Sequence, residues 1–152
     1  MTLVLIGPHG VGKSSLGRAL ASHLGWAFHH ELGEELALAS RTEGDASSPQ
    51  LDFDRRLFAL ERDRDRAWSG APRVVETWHP GNLAYAELRS PELVDGFRLE
   101  GTERTLVLPL TAPLEVLAAR KHEPGPLEFF VRVGERAQSW AERLGLALLP
   151  TV

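Results

Sequence analysis

Between an apolar run at Thr2 to Ile6 (TLVLI) and a helical pattern from Ser14 to Leu24, residues Gly7 to Ser14 read GPHGVGKS. The spacing is glycine, four free positions, glycine, lysine and serine, and it constrains the fold more than any other feature of the chain. The apolar run has the character of a parallel strand buried on both faces. Leu16, Ala19, Leu20 and Leu24 recur at helical spacing, so a helix follows the loop. Strand, glycine loop and helix together open an α/β architecture.

The loop's chemistry follows from its residue types. Gly7 and Gly12 lack a Cβ, so the backbone is free to take unusual φ and ψ and to approach a bound anion closely. Gly7, Pro8, His9, Gly10, Val11, Gly12, Lys13, Ser14 and Ser15 would form a cradle for a phosphate chain, through the backbone N–H groups of all but Pro8, with the helix N-terminus adding partial positive charge. Lys13 is expected to reach the β and γ phosphates, and the Ser14 hydroxyl to ligate magnesium. Lys13 and Lys121 are the only lysines among 17 basic residues. The chain therefore uses arginine for general surface charge and keeps a lysine where the loop needs one.

At 152 residues and 43% hydrophobic, a single domain spanning 1–152 can bury about two-thirds of its unfolded surface. The absence of cysteine excludes disulfides and thiolate metal sites. A net charge of −4 gives no broad basic field, so nucleic acid is not an expected partner. No apolar stretch approaches a membrane span, and the first residues enter a strand directly without room for a signal peptide. A cytoplasmic setting is the expectation.

The rest of the chain alternates strands and helices. Trp26 to His29 reads as a second strand, Glu31 to Ser40 as a short helix, and Arg41 to Gln50 as a polar loop. Leu51 to Ser69 is a charged helix with Phe53, Leu57, Leu60 and Trp68 inward. Val74 to Thr77 is a strand, followed by a His-Pro-Gly-Asn turn and two short helices to about Arg98. Thr105 to Leu110 is a strand, Pro113 to Arg120 a helix, and Lys121 to Pro126 a break. A helix over Leu127 to Leu144 and a strand at Leu146 to Leu149 complete the pattern. The expected fold is three-layered: a five-stranded parallel sheet with helices on both faces and a ligand at the strands' C-terminal edge.

The loop, the strand order and the run LPLTAPLEVLAARKHEPGP resemble the small P-loop kinases of nucleosides, nucleotides and similar metabolites, with deoxynucleoside and thymidylate kinases the most similar in pattern. In those enzymes a Glu follows the second strand, and here the match is Glu31. Their F-Q…R helix corresponds to FDRRLFALER, with Asp54 and Arg62. Their acidic-Arg step after the third strand corresponds to Glu76-Thr77-Trp78, and their Arg-rich lid to Arg120 through Arg132. Two departures stand out: Thr77 occupies the arginine position, and the lid is cut to about residues 121–126. The resemblance implies ATP and magnesium as cofactors, a small-molecule acceptor, most readily a nucleoside or nucleotide, and often a homodimer. Residues beyond the last strand are few, which leaves base recognition loose or shared with a second subunit.

Each candidate has a bland reading beside the functional one. Arg120 is a phosphate clamp and catalytic group, or a cation favouring a helix C-terminus. Glu31 orients or deprotonates an acceptor hydroxyl, or is a favourable charge at a helix start. Glu76 holds a magnesium-bound water; as an unpaired carboxylate ending a buried strand it would otherwise be expensive. Asp54 and Arg62 would border an acceptor pocket, with Trp78 and Tyr85 able to stack on a base. His29, His30, Glu31 and His79 would have to converge from opposite strand faces to hold a metal. Glu61 to Arg66 (ERDRDR) reads as an exposed face. Three classes compete: a small-molecule kinase leads, ahead of an ATPase and a nucleotide-binding protein without catalysis. A GTP switch is disfavoured because neither lysine lies in an Asn-Lys-x-Asp motif.

Overall fold

The computed structural model describes residues 1–42, 50–121 and 125–152, apart from the side chains of residues 40–42. Its strands are β1 (Thr2–Ile6), β2 (Ala27–His29), β3 (Arg73–Glu76), β4 (Thr105–Pro109) and β5 (Ala147–Leu148). They form one parallel sheet in the order β2-β3-β1-β4-β5. The helices are α1 (Lys13–Leu24), α2 (Leu32–Thr42), α3 (Gln50–Ala67), α4 (Trp78–Arg89), α5 (Leu114–Arg120) and α6 (Leu127–Arg143). Most of the expected 41–50 loop, and 122–124 of the expected short lid, lie outside the described residues.

The alternation within β1 explains the layering. Val4 and Ile6 join Val75, Val107 and the buried faces of α4 and α6 on one side. Leu5 joins Val74, Ala21, Leu16 and Phe28 on the other, beneath α1. Successive side chains of a strand point to opposite faces, so a wholly apolar strand requires cover on both. At Gly17 a Cβ would lie 2.6 Å from Phe28 Cε2, so the small residue sets how closely α1 packs.

The neighbouring strands β1 and β3 send their connections opposite ways, β1 outward to β2 and β3 across to β4. That is the switch point at which a crevice opens beyond the strand ends. The β1–α1 loop emerges there, beside Glu76, which lies opposite Leu5 in the register.

Two expectations about elements need correction. His79-Pro80-Gly81-Asn82 is the opening of α4, a continuous 12-residue helix followed by a single 3-10 turn at Pro91–Leu93, rather than a turn and two short helices. Proline is tolerated there because first-turn N–H groups have no intrahelical partner. Leu60 points outward at 38% exposure; the inner face of α3 instead carries Asp54, Leu57, Phe58 and Glu61.

Candidate functional site

The glycine loop leaves β1 with Gly7 at φ 147°, where a Cβ would stand 2.5 Å from the Leu110 carbonyl oxygen. It enters α1 through Gly12, which is left-handed at φ 106° and ψ 21°. Both positions demand glycine for steric reasons. The loop is backed by α6, where a Cβ at Gly134 would come within 2.8 Å of Pro8 Cδ. Lys13 Nζ donates to the carbonyls of Gly7 at 3.1 Å and Pro8 at 3.3 Å. Its charge is thus held over the loop by acceptors weaker than a phosphate.

A cleft of about 440 Å³ opens on this loop, lined by His9, Gly10, Lys13, Ser14, Glu31 and Arg120 among others. Arg120 leans on the loop: its Cβ lies 3.3 Å from the Cβ position of Gly10, and its Nη1 4.0 Å from that of Gly12. The structure therefore brings Lys13, Ser14, Glu31 and Arg120 to one cavity.

Glu31 and Glu76 are tied together through their neighbours. His30 Nδ1 lies 2.5 Å from Glu76 Oε2, and the Glu31 N–H is directed at that nitrogen as well, at 2.8 Å. The Glu31 N–H also donates to Glu76 Oε2 at 3.3 Å. The Thr77 hydroxyl donates to Glu31 Oε2 at 2.6 Å. Glu76 is buried, and its Oε1 has no hydrogen-bond partner among the described residues. A buried carboxylate oxygen left orphaned asks for a partner from outside. Magnesium favours hard oxygen donors and retains several waters, so the Ser14 hydroxyl and the open Glu76 oxygen fit it, the latter through a water. Among the described residues no three His, Asp or Glu groups converge to hold a metal by themselves, and His79 is paired with Asp65.

A second, smaller pocket of about 70 Å³ shares Glu31 and Glu34 with the loop cleft and adds Phe53, Asn82, Tyr85 and Arg89. Arg89 lies over the rings of Tyr85 at 4.8 Å and Phe53 at 5.7 Å. Asp54 fixes it, accepting from Arg89 Nη2 at 2.6 Å and from the Ser90 hydroxyl at 2.9 Å.

The expected acceptor trio is not brought together. Asp54 reaches this pocket only through Arg89, because its own carboxylate is buried. Arg62 projects from the other side of α3, over Phe97 at 5.1 Å, into a separate depression with Arg55 and Asp95. Trp78 is 4% exposed and donates its indole N–H to Asp65, so it offers no face to a base. The run from Glu61 to Arg66 is only partly an exposed face. Glu61 is buried against Arg64 and Asn82, and Asp65 accepts from Arg73, Trp78 and His79. Burial pushes the Glu61 carboxyl above its ordinary range, against the pull of Arg64 and His79. Burial works the same way on Asp65, but hydrogen bonds from His79 and Arg73 outweigh it and hold that carboxyl low.

Sequence reasoning missed Arg89, Asn82 and Glu34, and took Phe53 for core. An aromatic and an arginine four residues apart near a helix end, Tyr85 and Arg89, were the available signal.

Comparison with known proteins agrees with this geometry. The model of a family described as an AAA domain matches residues 2–146. A shikimate kinase of Ruegeria pomeroyi is 37% identical over 93 residues, covering 58% of this chain and 45% of that protein, so the match spans less than half the relative's length. A deoxyadenosine kinase from M. mycoides with bound dATP superposes with a TM-score of 0.70 at 12% identity, over 100% of this chain and 90% of that one. A shikimate kinase from Acinetobacter baumannii, in complex with shikimate, gives 0.57 at 18% identity, over 99% and 83%. Those two solved structures share the fold: a five-stranded parallel sheet flanked by helices. No helix among the described residues is long and apolar enough to cross a membrane.

Proposed function

The chain belongs to the AAA domain family, and on that premise we propose that it is a small-molecule kinase moving the γ-phosphate of ATP to a hydroxyl acceptor. The observation that carries this is the adjacency of the two cavities, whose linings share Glu31 and Glu34. The loop cleft supplies a phosphate cradle, and the second pocket supplies flat aromatic walls and one arginine. A nucleoside is the acceptor class we favour, because the aromatic walls Phe53 and Tyr85 suit a base, which would have to displace Arg89 from over those rings.

Phosphoryl transfer rests on positioning and on neutralising charge at the migrating group. Lys13 exchanges the Gly7 and Pro8 carbonyls for phosphate oxygens. Arg120 closes on the same oxygens from the rim. Glu31 orients the acceptor hydroxyl and takes its proton as that oxygen bonds to the γ-phosphorus, while the bond to the β,γ-bridging oxygen breaks and ADP leaves. Magnesium, held by Ser14 and through water by Glu76, would supply charge neutralisation between the β and γ phosphates.

The test is ADP release with ATP and magnesium across a panel of nucleosides, nucleoside monophosphates, shikimate and other small hydroxylated metabolites, with Lys13→Ala as control. Losing a preorganised contact of this kind costs about 2.7–4 kcal/mol, so Lys13→Ala should turn over roughly a hundred- to a thousandfold slower. ADP release independent of any acceptor would identify an ATPase. ATP binding with no release would leave a nucleotide-binding protein and withdraw the roles given to Glu31, Glu76 and Arg120.

A further inference from the structure

We propose that Thr77 is a positioning residue for this reaction, its hydroxyl delivered by a strained strand-to-helix turn to fix the carboxylate of Glu31. The inference rests on the kinase reading above and concerns a position where the resembling kinases carry arginine.

Thr77 has φ 62° and ψ −61°, and Trp78 follows at φ 47°. That pairing of angles at Thr77 is the rare, strained form of a γ-turn, unfavourable for a β-branched residue. Strain of this kind persists only where the surroundings over-determine it, and it gathers at functional sites. Here the surroundings are visible. The Thr77 N–H donates to the Leu5 carbonyl at 2.9 Å, and its own carbonyl accepts from the Gly81 N–H at 3.0 Å. A Cβ at Gly81 would lie 2.3 Å from Thr77 Cγ2, so only glycine leaves room for the side chain in this pose.

The hydroxyl forgoes its usual task. Thr77 is the N-cap of α4, a position where threonine normally accepts a hydrogen bond from the helix's first N–H groups, yet its side chain makes no cap bond. It donates instead to Glu31 Oε2 at 2.6 Å, across 46 residues of sequence. Both the strain and the lost cap are explained if the position serves Glu31. One oxygen of that carboxylate is pinned by Thr77, which leaves the other to face an acceptor hydroxyl.

The experiment compares Thr77→Val, Thr77→Ser and Thr77→Gly in the full chain, with Glu31→Gln alone and combined with Thr77→Val. The first readout is kcat and the KM values for ATP and for the best acceptor of the panel. The groups facing Glu31 are His30, Glu34, Glu76, Lys13, Arg120 and Arg89, and all remain in every Thr77 variant. Thr77→Val should lower kcat about ten- to a hundredfold, as for loss of a hydrogen bond to a charged group. Thr77→Ser should recover most of that turnover, the KM for ATP should stay constant, and Thr77→Val should add little in the Glu31→Gln background. Thr77→Gly should melt no lower than Thr77→Val while remaining as slow. A Thr77→Val enzyme with wild-type kcat overturns the inference and leaves the kinase reading intact. A wild-type protein that binds ATP and turns over no acceptor overturns the kinase reading and the inference with it. A Thr77→Gly variant melting below Thr77→Val removes the strain argument whatever the turnover.

Discussion

Replacing Asp54 by alanine removes the anion that holds Arg89 against the second pocket. The side chains are 1% and 24% exposed, and the ion pair closes at 2.6 Å. Breaking a fully buried pair by deleting one partner costs about 3–5 kcal/mol, most of it the uncompensated charge left behind. Arg89 keeps a quarter of its surface in water, so its share falls to about 2–3 kcal/mol. The Ser90 hydroxyl, buried and stripped of its acceptor, adds about 1 kcal/mol. The expected loss is therefore about 3–4 kcal/mol, or about 10 °C in melting temperature for a chain of this size. Urea denaturation of Asp54→Ala, Arg89→Ala and the double variant measures it directly. Because removing both partners leaves no orphaned charge, the double variant should be more stable than the sum of the single losses predicts, by at least about 1.5 kcal/mol. In the activity assay Asp54→Ala should raise the acceptor KM and leave that of ATP unchanged. A loss below about 1 kcal/mol, or strict additivity, would refute the argument that Asp54 acts through Arg89.

Gly134→Ala would gain up to about 1 kcal/mol from helix propensity alone. Its Cβ, however, would lie 2.8 Å from Pro8 Cδ and 2.9 Å from the Pro8 nitrogen, so the variant should instead lose about 1–3 kcal/mol and bind ATP more weakly in calorimetry. His29 is pushed below its ordinary value of 6.5 by burial first, then by Arg64 and Arg73. The folded state thus disfavours the protonated ring, so its contribution is present above pH 6.5 and is lost as pH falls below it. The urea midpoint should drop between pH 7.5 and 5.5, and by less in His29→Gln; an equal drop in both would sink that assignment. Asp65, held below 3.8, adds stability that is present above that value and lost as pH falls through its depressed folded value. Glu61, raised above 4.5, works oppositely and recovers some stability on protonation.

The loop and its flanking elements were legible because everything that specifies them is local. GPHGVGKS carries its own backbone requirements, and the apolar run and helical pattern on either side need no distant partner to be recognised. The alternation of strands and helices was readable for the same reason, and with it the parallel sheet and the crevice at its edge. The inner face of α3 was not. Asp54, Glu61 and Asp65 recur at helical spacing but are charged, so periodicity assigns them to solvent. Arg89, Asn82, Arg73 and His79, contributed by β3 and α4, are what turn that face inward. The same packing buries Trp78 against Asp65 and leaves Arg62 on a different side of the molecule from Arg89. A motif that binds through its own backbone is written in consecutive residues. A pocket lined by side chains from three helices, and a strained turn held by a glycine four residues further along, exist only once long-range contacts repay the cost of burying charge.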